Sequence, residues 1–168
     1  ELINPKSSTG TKLKALVRAG LFYAVWYPKQ WLGWGRWPRY AEFGPLATHL
    51  RFVNRASRKL ARTVFHAMVR FGPRLEKKQS VLFRTVEIGA ELLAISAACA
   101  RAQMLLQKDP SNRGPVRMAD VFSRQSRRKV RQLFGSVFGN DDDRTYKLAQ
   151  SVLKGEQTWL EEGMVRLG

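Results

Sequence analysis

The stretch from Pro73 to Gln107 carries two apolar stripes at helical spacing. One runs Leu75, Leu82, Val86, Ala90, Leu93, Ala97; the other runs Val81, Ile88, Leu92, Ile95, Cys99. A helix that is apolar on two adjoining faces has to sit between neighbours, as in the middle of a bundle. Ala90, Ala94, Ala97 and Ala98 would let a partner helix come close. This pattern predicts the longest helix of the chain and an all-α fold around it.

The flanking sequence supplies the neighbours. Leu46, Leu50, Val53, Leu60, Val64 and Met68 form the apolar stripe of a helix opening near Pro45 and broken at Gly72-Pro73. Arg51, Arg55, Arg58, Lys59 and Arg62 form a separate basic stripe on it. After the loop Asp109–Pro115, a further helix is predicted with Met118, Val121, Phe122, Val130, Leu133, Phe134 and Val137 inward, and Arg124, Arg127, Arg128 and Arg131 outward. Gly139–Asp143 reads as a turn and N-cap, with carboxylates at the positive end of a last helix. That helix carries Tyr146, Ala149, Val152, Leu153, Trp159 and Leu160. No alternating strand, internal repeat or low-complexity tract is evident. Ahead of the bundle, Leu13, Leu16, Val17, Gly20, Leu21, Ala24 and Val25 share one helical face, with Lys12, Lys14 and Arg18 off it. Pro28 is expected to stop this helix and to open an irregular loop as far as Pro45.

Four of the five tryptophans fall in that loop and the turn before it: Trp26, Trp31, Trp34 and Trp37, with Lys29, Arg36 and Arg39 among them. Indole beside cations suits a water–lipid boundary, where the ring sits at headgroup level and the charge meets anionic lipid. The same mixture can stack on bases and contact phosphates. A third reading folds the loop back on its own domain with the rings as core. The net charge of +17 and pI near 10.9 call for an anionic partner or a more acidic body to attach to. Most of the excess lies in the first 75 residues, where fourteen Lys/Arg face only Glu1 and Glu42.

The search for chemistry returns little. There is no glycine-rich dinucleotide or phosphate-binding motif and no metal-spaced Cys/His cluster. His49 and His66 have no partner motif and read as surface or helix-packing residues. Asp141, Asp142 and Asp143 read as a helix cap rather than a calcium loop. Glu87 and Glu91, one turn apart, read as solvated or salt-bridged. Cys99, the single cysteine, excludes an internal disulfide and reads as a buried, inert thiol. No stretch reaches the ~20 apolar residues of a spanning helix, and no signal peptide is evident. A chain that opens at Glu1 without methionine is expected to be a fragment or a processed product.

The run from Phe71 to Ala102 resembles the C-terminal helical domain of very-long-chain-type acyl-CoA dehydrogenases. Gly72, Gln79, Leu82, Arg84, Ile88, Leu92, Ala94, Arg101 and Ala102 match the family pattern of a glycine-containing turn, a Q-x-x-L-x-R helix and a terminal Arg-Ala. Ala119-Asp-Val-Phe122, Lys147-Leu-Ala149 and Val152-Leu-Lys-Gly155-Glu match further on. Val86, Leu93 and Ala100 stand where that pattern usually has alanine, tyrosine and serine. The resemblance implies flavoprotein homodimers that oxidise long acyl-CoA thioesters, with FAD and the catalytic glutamate in a body N-terminal to this region. It also implies that the basic, amphipathic segment before the appended domain associates with a membrane.

The expectation is therefore an all-α chain: a basic, Trp-rich amphipathic segment over residues 1–44, then a bundle of about four helices over 45–168. The fragment itself is expected to hold no catalytic, cofactor or metal site. Membrane contact would fall to Lys12, Lys14, Arg18, Phe22, Trp26, Lys29, Trp31, Trp34, Arg36, Trp37 and Arg39. The expected partners are the dehydrogenase body, an anionic membrane surface and, in the parent enzyme, a second subunit. The expected location is peripheral, on the cytoplasmic face of a bacterial membrane or on the mitochondrial inner membrane of a eukaryote. The alternatives are a basic helical nucleic-acid-binding module and a protein–protein adaptor.

Overall fold

The computed structural model describes residues 9–163, with side chains from residue 17 onward except that of Trp34. Among the described residues there are five α-helices, four short 3-10 turns and no strand. The all-α reading holds.

Helices α2 (Ala47–Phe71), α3 (Gln79–Lys108) and α4 (Gly114–Ser136) share the core. Leu46, Ile88, Ile95, Cys99, Val130 and Val137 are fully enclosed. One end of the core joins Leu46 and Leu50 to Ile95, Cys99, Ala102, Val116 and Ala119. The other joins Ala56 and Ala67 to Val81, Ile88, Leu92, Val130 and Val137. Helix α2 ends at Gly72, whose φ of 51° and ψ of −133° suit a residue without Cβ. Its N–H closes onto the Met68 carbonyl, and Pro73 prevents continuation.

Helix α3 is the longest, but it opens at Gln79 rather than Pro73. Residues Gly72–Lys77 take a 3-10 turn instead, and Lys78, at φ −93° and ψ 59°, lies off the helical path. The second of its two apolar stripes is the buried one: Val81, Ile88, Leu92, Ile95 and Cys99 all face α2 or α4. In the first stripe Leu82 is half-buried, whereas Val86, Ala90, Leu93 and Ala97 lie open to solvent.

Helix α4 turns Val130, Leu133 and Phe134 inward as predicted, with Val137 just beyond it, but its first half presents a different face. Met118, Val121 and Phe122 are exposed, and Val116, Ala119, Ser123, Ser126 and Val130 point inward. Close approach to α3 explains the choice. At the crossing, the Ser123 hydroxyl lies 3.8 Å from the Cys99 sulfur, a seam that a methionine or phenylalanine side chain would pry apart.

The last helix, α5 (Asp142–Leu153), is shorter than expected. Trp159 and Leu160 belong to a separate 3-10 turn, Thr158–Glu161. Helix α5 buries none of its residues, and Tyr146, Val152 and Leu153 all face solvent. No carboxylate caps its N-terminus: the Asn140 side-chain oxygen accepts the Asp142 N–H at 3.1 Å. The carboxylates reach across to α3. Asp142 forms a two-pronged bond with Arg84 at 2.5 and 2.7 Å, and Lys78 donates to Asp143.

Helix α1 (Thr9–Leu32) runs through Pro28 for one more turn. Proline there removes a hydrogen bond and crowds the preceding turn, at a cost of about 3 kcal/mol. The helix continues because this turn is docked. Phe65 of α2 packs on Tyr23, Trp26 and Tyr27, and the Tyr27 hydroxyl meets His66 Nε2 at 2.9 Å. One turn on, Arg62 Nη1 donates to the Gln30 carbonyl at 2.8 Å. The expected loop from Pro28 to Pro45 shrinks to a 3-10 turn at Gly33–Gly35, an extended piece, and a second 3-10 turn at Ala41–Leu46. Tyr40 holds a left-handed φ of 54° at the entry to that turn.

Candidate membrane-contacting surface

The predicted contact residues divide by how the segment lies on α2. Lys12 and Lys14 lie outside the described side chains, as does the ring of Trp34. Arg18 and Lys29 are exposed, and Phe22 is 59% exposed on the outer face of α1. Trp26 is half-buried, its ring 5.8 Å from that of Phe65, so it belongs to the α1–α2 contact. Trp31 and Trp37 are 60% and 67% exposed. Arg36 and Arg39 are exposed, and the Arg39 carbonyl accepts from Arg51 Nη1 at 3.0 Å.

The apolar stripe of α1 points away from the bundle. Val17, Leu21 and Val25 are more than half exposed, and Phe22 and Leu32 lie with them. No helix among the described residues is long and apolar enough to cross a membrane.

Behind the two exposed tryptophans stand arginines of α2. The Arg62 guanidinium lies 4.0 Å from the centre of the Trp31 ring, and that of Arg58 lies 5.4 Å from the Trp37 ring. Each cation steadies a ring that has little protein on its other face. Burial pulls the Arg62 guanidinium below its ordinary value, and Arg58 nearby acts in the same direction. The stripe Arg51–Arg62 is thus not a free basic face: its C-terminal half is turned into the Trp-rich segment. Phe65 went unassigned in the sequence, although an aromatic out of phase with the core stripe Leu60, Val64, Met68 was a signal for a second partner; His66, read as a surface or helix-packing residue, packs on Tyr27.

On the α2–α4 seam, Arg127 departs from its predicted outward place. It is half-buried, lies over the Phe52 ring at 4.9 Å, and donates to His49 Nδ1 at 3.1 Å. Arginine only donates, so Nδ1 accepts and the proton sits on Nε2. Nε2 then donates to Asp120 Oδ1 at 2.8 Å. His49 is thus a helix-packing residue. Asp120 also accepts from Arg124, and these two bonds, Arg124's first, hold its carboxyl below the usual range. Glu87 and Glu91 both bridge to Lys129, at 2.7 and 2.9 Å, as ordinary salt-bridged glutamates. Burial pushes the Cys99 thiol up, away from the reactive thiolate. Among the described residues no group of His, Cys, Asp or Glu is placed to hold a metal ion.

The chain is 47% identical over 167 residues to the "Probable acyl-CoA dehydrogenase FadE10" of Mycobacterium bovis and to the same-named protein of Mycobacterium tuberculosis. The match takes in 98% of this chain but 26% of each relative, so the chain spans about a quarter of their length. The likeness to a piece of an acyl-CoA dehydrogenase, first seen in the Phe71–Ala102 run, thereby extends along almost the whole chain. No protein-family profile matches the chain, and no solved structure matches it.

Proposed function

We propose that this chain is the C-terminal appended domain of an FAD-dependent, long-chain or very-long-chain acyl-CoA dehydrogenase of fatty-acid β-oxidation. Residues 45–168 dock on the flavin-binding body and support the dimer. Residues 1–44 lie on the membrane, on the cytoplasmic face in a bacterium, and keep the enzyme where hydrophobic acyl-CoA collects. The active site belongs to the body.

The observation that carries the membrane role is the orientation of the segment. Phe22, Trp31 and Trp37 stay exposed while Trp26 is spent on docking, and cations lie beside the exposed rings. Each Lys or Arg near an anionic surface contributes ~1 kcal/mol, and inserted rings add a part that salt does not screen. The docking role is supported by the open stripe of α3. Phe83, Val86 and Leu93 are each about 70% exposed, with the small residues Ala90 and Ala97 between them. Ala94 and Ala98 of α3 also line an apolar groove with Met118 and Phe122 of α4. Exposed apolar area of this kind marks a protein interface.

Tryptophan fluorescence tests the membrane role. On anionic vesicles the emission should move to shorter wavelength, and Trp31→Ala with Trp37→Ala should remove most of that shift. Emission that is already short without lipid and does not move would mean the rings are packed on protein.

A further inference from the structure

Between the Trp-rich segment and the bundle lies an open groove of about 1160 Å³. Its charged lining is Arg36 and Arg58, and no carboxylate lines it. Among the described residues neither arginine has an acidic partner. Asn54, Ser57 and Ser96 add neutral hydrogen-bonding groups, and Leu50 and Val53 give an apolar wall.

Arg58 lines the groove with its guanidinium over the Trp37 ring. Its Nη1 is buried without a hydrogen-bond partner, pressed against Gly33 so closely that a Cβ there would lie 1.9 Å from it. Gly33 has a φ of 65°, a conformation that favours glycine, and the guanidinium occupies the space a side chain there would enter. A guanidinium fixed beside a groove with no counter-charge is costly to keep unpaired. Its planar fork matches a phosphate, and Arg36 offers a second. Trp37, 67% exposed, also lines the groove. A ligand with a phosphate at one end and an apolar chain at the other would satisfy both ends of this arrangement.

The geometry points to a binding site for the phosphate headgroup of an anionic phospholipid in this groove, held by Arg36 and Arg58, with the acyl chains leaving over Trp37. The inference rests on the membrane reading above and names what the surface recognises: a phosphodiester bound in a defined place, rather than negative charge in general.

Calorimetry on the full chain with monomeric dihexanoyl phosphatidylglycerol, below the concentration at which it forms micelles, tests it. The parent should bind with saturation. Arg36→Gln and Arg58→Gln should each weaken binding on the order of tenfold or more, the usual loss for a charge-assisted bond. Arg58→Lys should recover part of the loss, and Arg128→Gln, on the exposed side of α4, should change nothing. Arg36 is exposed and its replacement leaves the fold alone, so a folding defect at Arg58 does not blunt the test. Binding unchanged in both Gln variants, or no saturable binding by the parent, would overturn the site. Glycerol phosphate binding as tightly as the lipid would overturn the lipid assignment in favour of a soluble phosphate ester. Vesicle flotation of the same proteins separates the two claims. A parent that floats without holding monomeric lipid loses the groove and keeps the membrane role; one that holds lipid without floating keeps the groove and loses the membrane role.

Discussion

At the scale of single residues, the Asp120–His49–Arg127 chain shows how a basic protein stabilises a polar seam. His49 is almost wholly enclosed, and both ring nitrogens are satisfied only because residues 71 and 78 positions away arrive at the same place. Replacing Asp120 with Ala should cost about 1–3 kcal/mol in urea unfolding, since a buried donor loses its acceptor. A change well under 1 kcal/mol would show that water substitutes freely. The carboxyl of Asp120, lowered by Arg124 and then His49, also sets a pH dependence. A lowered folded value gives stability that is present above the unfolded value, ~4, and is lost as pH falls through the folded value. Asp120→Asn should therefore flatten the acid limb of a stability–pH curve. An equally steep limb in the variant would contradict this. None of the chain was legible in the sequence: His49 had no local motif, and Arg127 sat in phase with solvent-facing arginines.

At the scale of elements, helix existence was plain and helix orientation was not. The end of α2 at Gly72-Pro73 and the enclosed stripe of α3 follow from residue types that allow little else. The inner face of α4 was legible toward its end, at Val130, Leu133 and Phe134, but not at its start, where close packing selected Ala119, Ser123 and Ser126 over Met118 and Phe122. Pro28 failed as a stop because the aromatic contacts with Phe65, invisible locally, offset its cost. Helix α5 is the least secured element, tied to α3 by Arg84–Asp142 and Lys78–Asp143. Arg84→Ala should leave the α2–α4 core intact while amide exchange in α5 rises several-fold. If exchange rises equally in α2–α4, α5 is part of the cooperative core. The Asp142 carboxyl is held low by Arg84, so this tie too should persist above the unfolded value and loosen as pH falls through the lowered one.

At the scale of the whole molecule, the described residues turn apolar side chains outward on α1, on α3 and the start of α4, and on α5. Both stripes of α3 were expected to lie between neighbouring helices, whereas Val86, Leu93 and Ala97 are open; under the proposed function that open stripe meets the flavin-binding body and α1 meets the membrane. What the resemblance to acyl-CoA dehydrogenases could not supply was the division of labour among the tryptophans, which depends on where Phe65, Arg58 and Arg62 happen to lie. Because Tyr40 and Phe43, which pack on the core, lie beyond the cut and α1 docks on α2, removal of residues 1–39 should leave a cooperatively folding helical bundle with a modestly lower Tm. Loss of cooperative unfolding by circular dichroism would place the segment in the core. The central claim is that this segment holds the protein on anionic lipid through its exposed rings, and flotation with phosphatidylglycerol-containing vesicles at moderate salt tests it most directly. The parent should float, the Phe22→Ala, Trp31→Ala, Trp37→Ala variant should stay behind, and Arg128→Glu with Arg131→Glu should float nearly as the parent does. A triple variant that floats as well as the parent, with the arginine variant left behind instead, would contradict the account.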